Sequence, residues 1–202
     1  MTRNLPPLLA IAIASAAFGA RGQPPLMQAE PPAVSAPAAT LGEVDSDFVR
    51  EMAQFGQGLL RASILALLKS GDQRVRDFAR TVLDYQEQVN IRLLRLGEAR
   101  GVKIAREPSA MHLSQLELLR QATGRDFDRQ FLRAFGVESQ RWALRLVHLQ
   151  LDKGSDPEVI RFAKEISPEL QQNLHRGTAL AASIGAGSSR TSKHESVPAR
   201  AG

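Results

Sequence analysis

Cysteine is absent from the 202-residue chain, which removes disulfides, thiolate nucleophiles and thiolate metal ligands at once. Stability must therefore come from packing. Aromatic residues are scarce, with one Trp, one Tyr and eight Phe, so the usual vocabulary of strands is thin. No apolar run reaches the roughly 20 residues of a membrane-spanning helix. The recognisable catalytic patterns are missing too. No Ser lies in a nucleophile elbow, and no Glu-x-x-His pair of the kind that di-iron bundles use occurs. Gly56-Gln57-Gly58 sits inside a helical pattern with no strand before it, so it reads as a site of close helix packing and not as a phosphate loop. Neither sign of charge dominates: from Asp45 to Ala182 there are 21 Lys and Arg against 18 Asp and Glu, interleaved as on a solvated helical surface. The formal charge of +5 is no nucleic-acid signal. No enzyme activity, cofactor or metal site is expected.

What the chain does have is the composition of helices, rich in Leu, Ala, Arg, Glu and Gln. Arg3 followed by the apolar run Leu5 to Phe18 and small residues near Ala20 reads as a signal peptide over residues 1–20. Residues 21–44 hold Pro24, Pro25, Pro31, Pro32 and Pro37 and read as a disordered linker. The bundle domain is placed at 45–182, and the Gly- and Ser-rich residues 183–202 as a disordered tail.

Within the domain the sequence nearly repeats itself. Phe48-Val49-Arg50-Glu51-Met52 is answered 83 residues later by Phe131-Leu132-Arg133-Ala134-Phe135. Asp72 to Arg80 is answered 84 residues later by Asp156 to Lys164. Two similar helical hairpins follow, the second gaining one residue, which is assigned to its turn.

The first helix is expected to start on Asp45 or Ser46 and to bury Phe48, Met52, Phe55, Leu59, Ala62 and Ala66. The second is capped by Asp72, with Val75, Ala79, Val82, Gln86, Val89, Leu93 and Leu96 inward. A connector helix over Ser109 to Ala122 turns Leu113, Leu116 and Leu119 inward. The third helix is capped by Asp126, with an inward stripe of Phe131 or Leu132, Phe135, Ser139, Trp142, Leu146 and Leu149. The fourth opens on Asp156 and Pro157, a strong start signal. Its stripe is Val159, Ala163, Ile166, Leu170, Asn173, Gly177 and Leu180. The fold class is all-α, an up-down-down-up four-helix bundle as in ferritin-like folds.

Four polar residues fall on or beside the apolar stripes about midway along three helices: Tyr85 or Gln86, Ser139 and Asn173. Buried polar groups cost free energy without partners, so these are candidates for an interior hydrogen-bonded layer. If each helix is turned by one residue, the same groups lie at the solvent boundary. The histidines 112, 148, 175 and 194 are dispersed, and each reads as a surface or singly satisfied residue.

The pattern resembles the exported bacterial ferritin-like four-helix domains of unknown function that are often labelled outer-membrane proteins. The residues carrying the resemblance are Asp47-Phe48 with Ala53-Gln54-Phe55-Gly56, Val75 to Ala79, Gly124 to Arg129, and Asp156 to Val159 with Phe162-Ala163. The resemblance implies a histidine and glutamate metal site at positions that here hold Tyr85, Ser139 and Asn173, with Leu59 or Arg61 on the first helix. Its ligands are replaced. The resulting expectation is a non-catalytic protein of the bacterial periplasm or outer envelope, working through an unknown envelope protein or by self-association. No nucleic acid is expected as a partner. Membrane contact would come only through a retained signal segment or weak peripheral attachment. The alternative is a ferritin-like metal-binding or oxidative-stress protein with a site rebuilt from Glu138, Asp84 or Glu169.

Overall fold

The computed structural model describes residues 41–194, with side chains through 185. The signal peptide and nearly all of the linker lie outside the described residues. The described part is helical, without strands, and none of its helices is long and apolar enough to cross a membrane. Helix α1 spans Glu43–Lys69 and α2 spans Gln73–Ala99. A connector leads to α3, Ala110–Gln121. Then α4, Gly124–Phe131, continues through a π-helical turn, Leu132–Glu138, into α5, Ser139–Lys153. Helix α6 runs Pro157–His194, so its backbone stays helical past residue 183, where a disordered tail was expected.

Polar contacts fix the directions. Asp45 at the start of α1 meets Gln150 near the end of α5, while Lys69 at the end of α1 lies over the Phe127 ring of α4. The two segments are therefore antiparallel. Arg100, just after α2, pairs with Asp156 and Glu158 at the start of α6, and Arg74 near the start of α2 reaches Ser183. Those two helices also run in opposite directions. The core lies between them, with Phe48, Met52, Phe55, Phe131, Leu132, Phe135, Leu93 and Ile166 essentially sealed from solvent.

The repeat has a structural cause that sequence reading misplaced. Both hairpin turns are three residues long, Ser70-Gly71-Asp72 and Gly154-Ser155-Asp156, so the turn does not gain the extra residue. It is absorbed inside the third long helix, where the amide of Ser139 bonds to the carbonyl of Ala134, five residues back. One added residue rotates everything after it by about 100° in a regular helix, and the wider turn takes up that rotation. Beyond the π turn the inward face accordingly holds Gln140, Ala143, Val147 and Gln150. The expected face of Trp142, Leu146 and Leu149 is one residue out of phase: the first two are half-buried and Leu149 is 50% exposed.

Smaller corrections have local causes. Helix α1 starts at Glu43 after Gly42, so Asp45 is inside the first turn and buried instead of capping it. Helix α4 starts after Thr123, which leaves Asp126 in the first turn and not at the cap. In α3 Leu113 points outward and His112 takes the interior position. Asp72 and Asp156 cap their helices as expected: Asp72 accepts from the Arg74 amide, and Asp156 from the amides of Glu158 and Val159.

Candidate functional site

The interior polar candidates are distributed as follows. Gln86, Ser139 and Asn173 are each 2% exposed, whereas Tyr85 is half-buried at the edge of the core. Burial raises the Tyr85 phenol above its ordinary range, and the charge of Glu169 adds to the shift. Gln86 donates its Nε2 to Asn90 Oδ1 at 2.8 Å, one turn along α2. This amide pair needs Gly56 opposite it, since a Cβ there would stand 2.0 Å from Asn90 Oδ1 and 2.7 Å from Gln86 Nε2. No hydrogen bond joins Gln86, Ser139 and Asn173 to one another among the described residues. Ser139 Oγ, Asn173 Oδ1 and Gln140 Oε1 are instead buried without a protein partner.

The π turn explains why polar groups collect here. Gln140 Nε2 donates to the Phe135 carbonyl at 3.3 Å inside the widened turn. Gly136 in the same turn lies against Gly177 of α6. A Cβ on Gly177 would come within 2.3 Å of the Gly136 carbonyl oxygen, so the two backbones touch. Asn173 is one turn before Gly177, and Ser139 and Gln140 one turn after Gly136, which by antiparallel register sets the three at one level of the α5 and α6 contact. This close crossing could not be seen from the stripe alone.

Sequence reasoning missed a second site, around His112. Its ring is 1% exposed and lies about 6 Å, centroid to centroid, from Phe55, Phe135 and Trp142. Nδ1 is 2.8 Å from Ser109 Oγ at the helix cap, while Nε2 has no partner. Gly58 makes the room: a Cβ there would be 2.9 Å from His112 Cβ and Cγ. Burial lowers the imidazole pKa below its ordinary 6.5, with no charged neighbour contributing. His148 and His175 are exposed.

The residues named for a rebuilt metal site do not turn inward. Asp84 and Glu138 are exposed, and Glu169 faces Arg176 at 3.9 Å. Leu59 is buried in the core and Arg61 pairs with Glu107 at 2.5 Å. Among the described residues no three His, Asp or Glu side chains gather as a metal site would require.

Two carboxylates missed by the motif search tie the hairpins together. Asp45 accepts from Gln150 Nε2 at 2.5 Å, Ser155 Oγ at 2.8 Å and the amides of Ser155 and Asp156. Burial alone would raise its pKa, but these hydrogen bonds outweigh it and hold the carboxyl below its ordinary value. Asp128, 83 residues later, is likewise buried and accepts from Ser70 Oγ at 2.5 Å. Each hairpin therefore begins with an aspartate that grips the other hairpin's turn. The signal was present in the repeat spacing.

Together these observations define an all-α domain of two interlocked hairpins whose buried polar groups are amides, hydroxyls, one histidine and the two aspartates that grip the turns. A family model for a domain of unknown function, DUF4142, matches residues 30–180, and the chain belongs to that family. No curated protein matches the chain. Among solved structures, a "putative secreted protein DUF305" from Streptomyces coelicolor aligns with a TM-score of 0.61 at 15% identity, covering 70% of this chain and 92% of that one. A DUF305 fragment from Deinococcus radiodurans aligns with a TM-score of 0.63 at 19% identity, covering 71% and 98% respectively. At such identities the likeness is one of fold.

Proposed function

We propose that this chain is an exported, non-catalytic helical domain of the bacterial cell envelope, acting by contact with an envelope protein or with a second copy of itself. In this reading its helices form a ferritin-like up-down-down-up bundle that has given up metal chemistry. One observation carries it: apolar side chains stand out on neighbouring helices α1 and α3, with Leu68 77% and Leu118 60% exposed and Ile64 and Met111 just under half. Leu68 and Leu118 flank the contact of Lys69 Nζ with the Arg120 carbonyl, so the two helices meet beside them. Isolated exposed leucines need no explanation, but a group on adjoining helices is the usual mark of a contact surface. The signal-like N-terminus and the secreted character in the name of one fold relative support export.

The test replaces Leu68 and Leu118 together by Glu. Both are exposed, so folding should survive, while self-association in sedimentation or co-purification of an envelope partner is lost. Unchanged association would remove this surface from consideration.

The metal-binding alternative draws support from the unpartnered oxygens of Ser139, Gln140 and Asn173. These are poor ligands for transition metals beside imidazole or carboxylate. Metal per chain after reconstitution with iron, manganese and zinc separates the readings. Retention near one equivalent would favour the alternative.

A further inference from the structure

A groove of about 280 Å³ lies where the connector passes over α1 and α2. Ala53, Ile91, Leu94 and Ile104 make its apolar wall, and Gln57, Asn90 and Arg106 supply its polar groups. Its shape is held by Gly97. The Val102 amide bonds to the Gly97 carbonyl at 2.9 Å, and a Cβ on Gly97 would stand 2.4 Å from Ile104 Cδ1, so the connector packs directly on the α2 backbone.

One buried donor and one exposed cation here have no protein partner among the described residues. Asn90 Oδ1 is taken by Gln86, which orients the amide and leaves Nδ2 as a buried donor with no partner. Buried donors without acceptors are rare and costly, so an unpaired one at a groove wall marks a place where an acceptor is wanted. Arg106 is exposed and makes no hydrogen bond or ion pair among the described residues, although the neighbouring Glu107 is held by Arg61. No carboxylate lines the groove to neutralise it. An apolar wall with convergent polar donors at one site, close in size to the lower limit of about 300 Å³ for ligand pockets, is what a small amphiphile requires.

We propose that this groove binds a short-chain to medium-chain aliphatic carboxylate. Its carboxylate accepts from Asn90 Nδ2 and pairs with Arg106, and its tail lies on Ile91, Leu94 and Ile104. The inference is independent of the contact surface on α1 and α3, and either can fail alone.

The test titrates the full chain with octanoate, octanol and acetate, followed by amide NMR shifts. The expected result is saturable octanoate binding with shifts confined to Ala53, Gln57, Asn90, Ile104 and Arg106. Octanol, which keeps the tail without the charge, should bind about tenfold more weakly. Arg106→Gln should reduce octanoate to the octanol level and leave octanol unchanged, and Ile91→Gln should weaken both. Neither side chain holds the fold, since both are exposed. Non-saturating or scattered shifts would overturn the proposal, as would acetate binding as well as octanoate or indifference to Arg106→Gln.

Discussion

His112 shows how far a single residue's environment can depart from its type. Its folded pKa is lowered by burial, so near pH 6.5 the folded state binds fewer protons than the unfolded one. Stability from the neutral ring is fully present above about pH 6.5 and falls as pH drops below it, by at most about 1.4 kcal/mol per pH unit for one proton. Urea unfolding at about pH 5 and about pH 7.5 should show this loss, and His112→Leu should abolish the difference. Glycines test packing at the same scale. Gly177→Ala must push α6 off the Gly136 carbonyl and should cost about 1–3 kcal/mol. Gly136→Ala meets nothing closer than 3.4 Å from the added Cβ, so its melting temperature should drop less.

Among the elements, the third long helix carries the main surprise. Its inward stripe was legible as far as Ser139 and then slipped by one residue, because a period of 3.6 residues was applied through a turn that is wider. Removing the extra residue should therefore be tolerated where the helix already accommodates it. Deleting Val137 returns the π turn to α-helix and leaves Ala143, Val147 and Gln150 inward. Deleting Arg145 from the regular α5 instead rotates one part against the other. Circular dichroism should find the first variant folded with a modest loss and the second largely unfolded. Element α3 was legible as a helix over Ser109 to Ala122, and the structure makes Ser109 its cap. Its inward face was legible at Leu116 and Leu119 but not at its start, where the room left by Gly58 lets His112 take the interior position instead of Leu113.

For the whole molecule, the two hairpins are joined by reciprocal aspartate locks as well as by the core. Asp45→Asn keeps the size but makes one side-chain oxygen into a donor facing other donors, so it should destabilise by about 1–3 kcal/mol in urea unfolding. Asp128→Asn should cost less, because its partner is the Ser70 hydroxyl, which can still donate to the amide oxygen. The carboxyls of Asp45, Asp72 and Asp156 all have folded pKa values below 3.8. For acids with depressed pKa values the contribution is present above the unfolded value and lost as pH falls through the folded one. Stability should thus fall in two stages as the pH drops, one below about pH 6.5 from His112 and a second below about pH 4 from these aspartates.

The sequence by itself determined the helical class, the paired hairpins, the caps at Asp72 and Asp156, and the core faces of α1, α2 and α6, because these follow from local periodicity and turn chemistry. The extra residue was countable in the repeat, but its place was decided by the tertiary structure. It sits in a π turn because both three-residue turns are held by aspartates from the opposite hairpin, which leaves the helix interior as the place where it can be accommodated. The aromatic surroundings of His112 and the contact of Gly136 with Gly177 were likewise decided in three dimensions. Each depends on the absence of a side chain at one position and the approach of a residue far away in the chain, and local pattern carries no record of either.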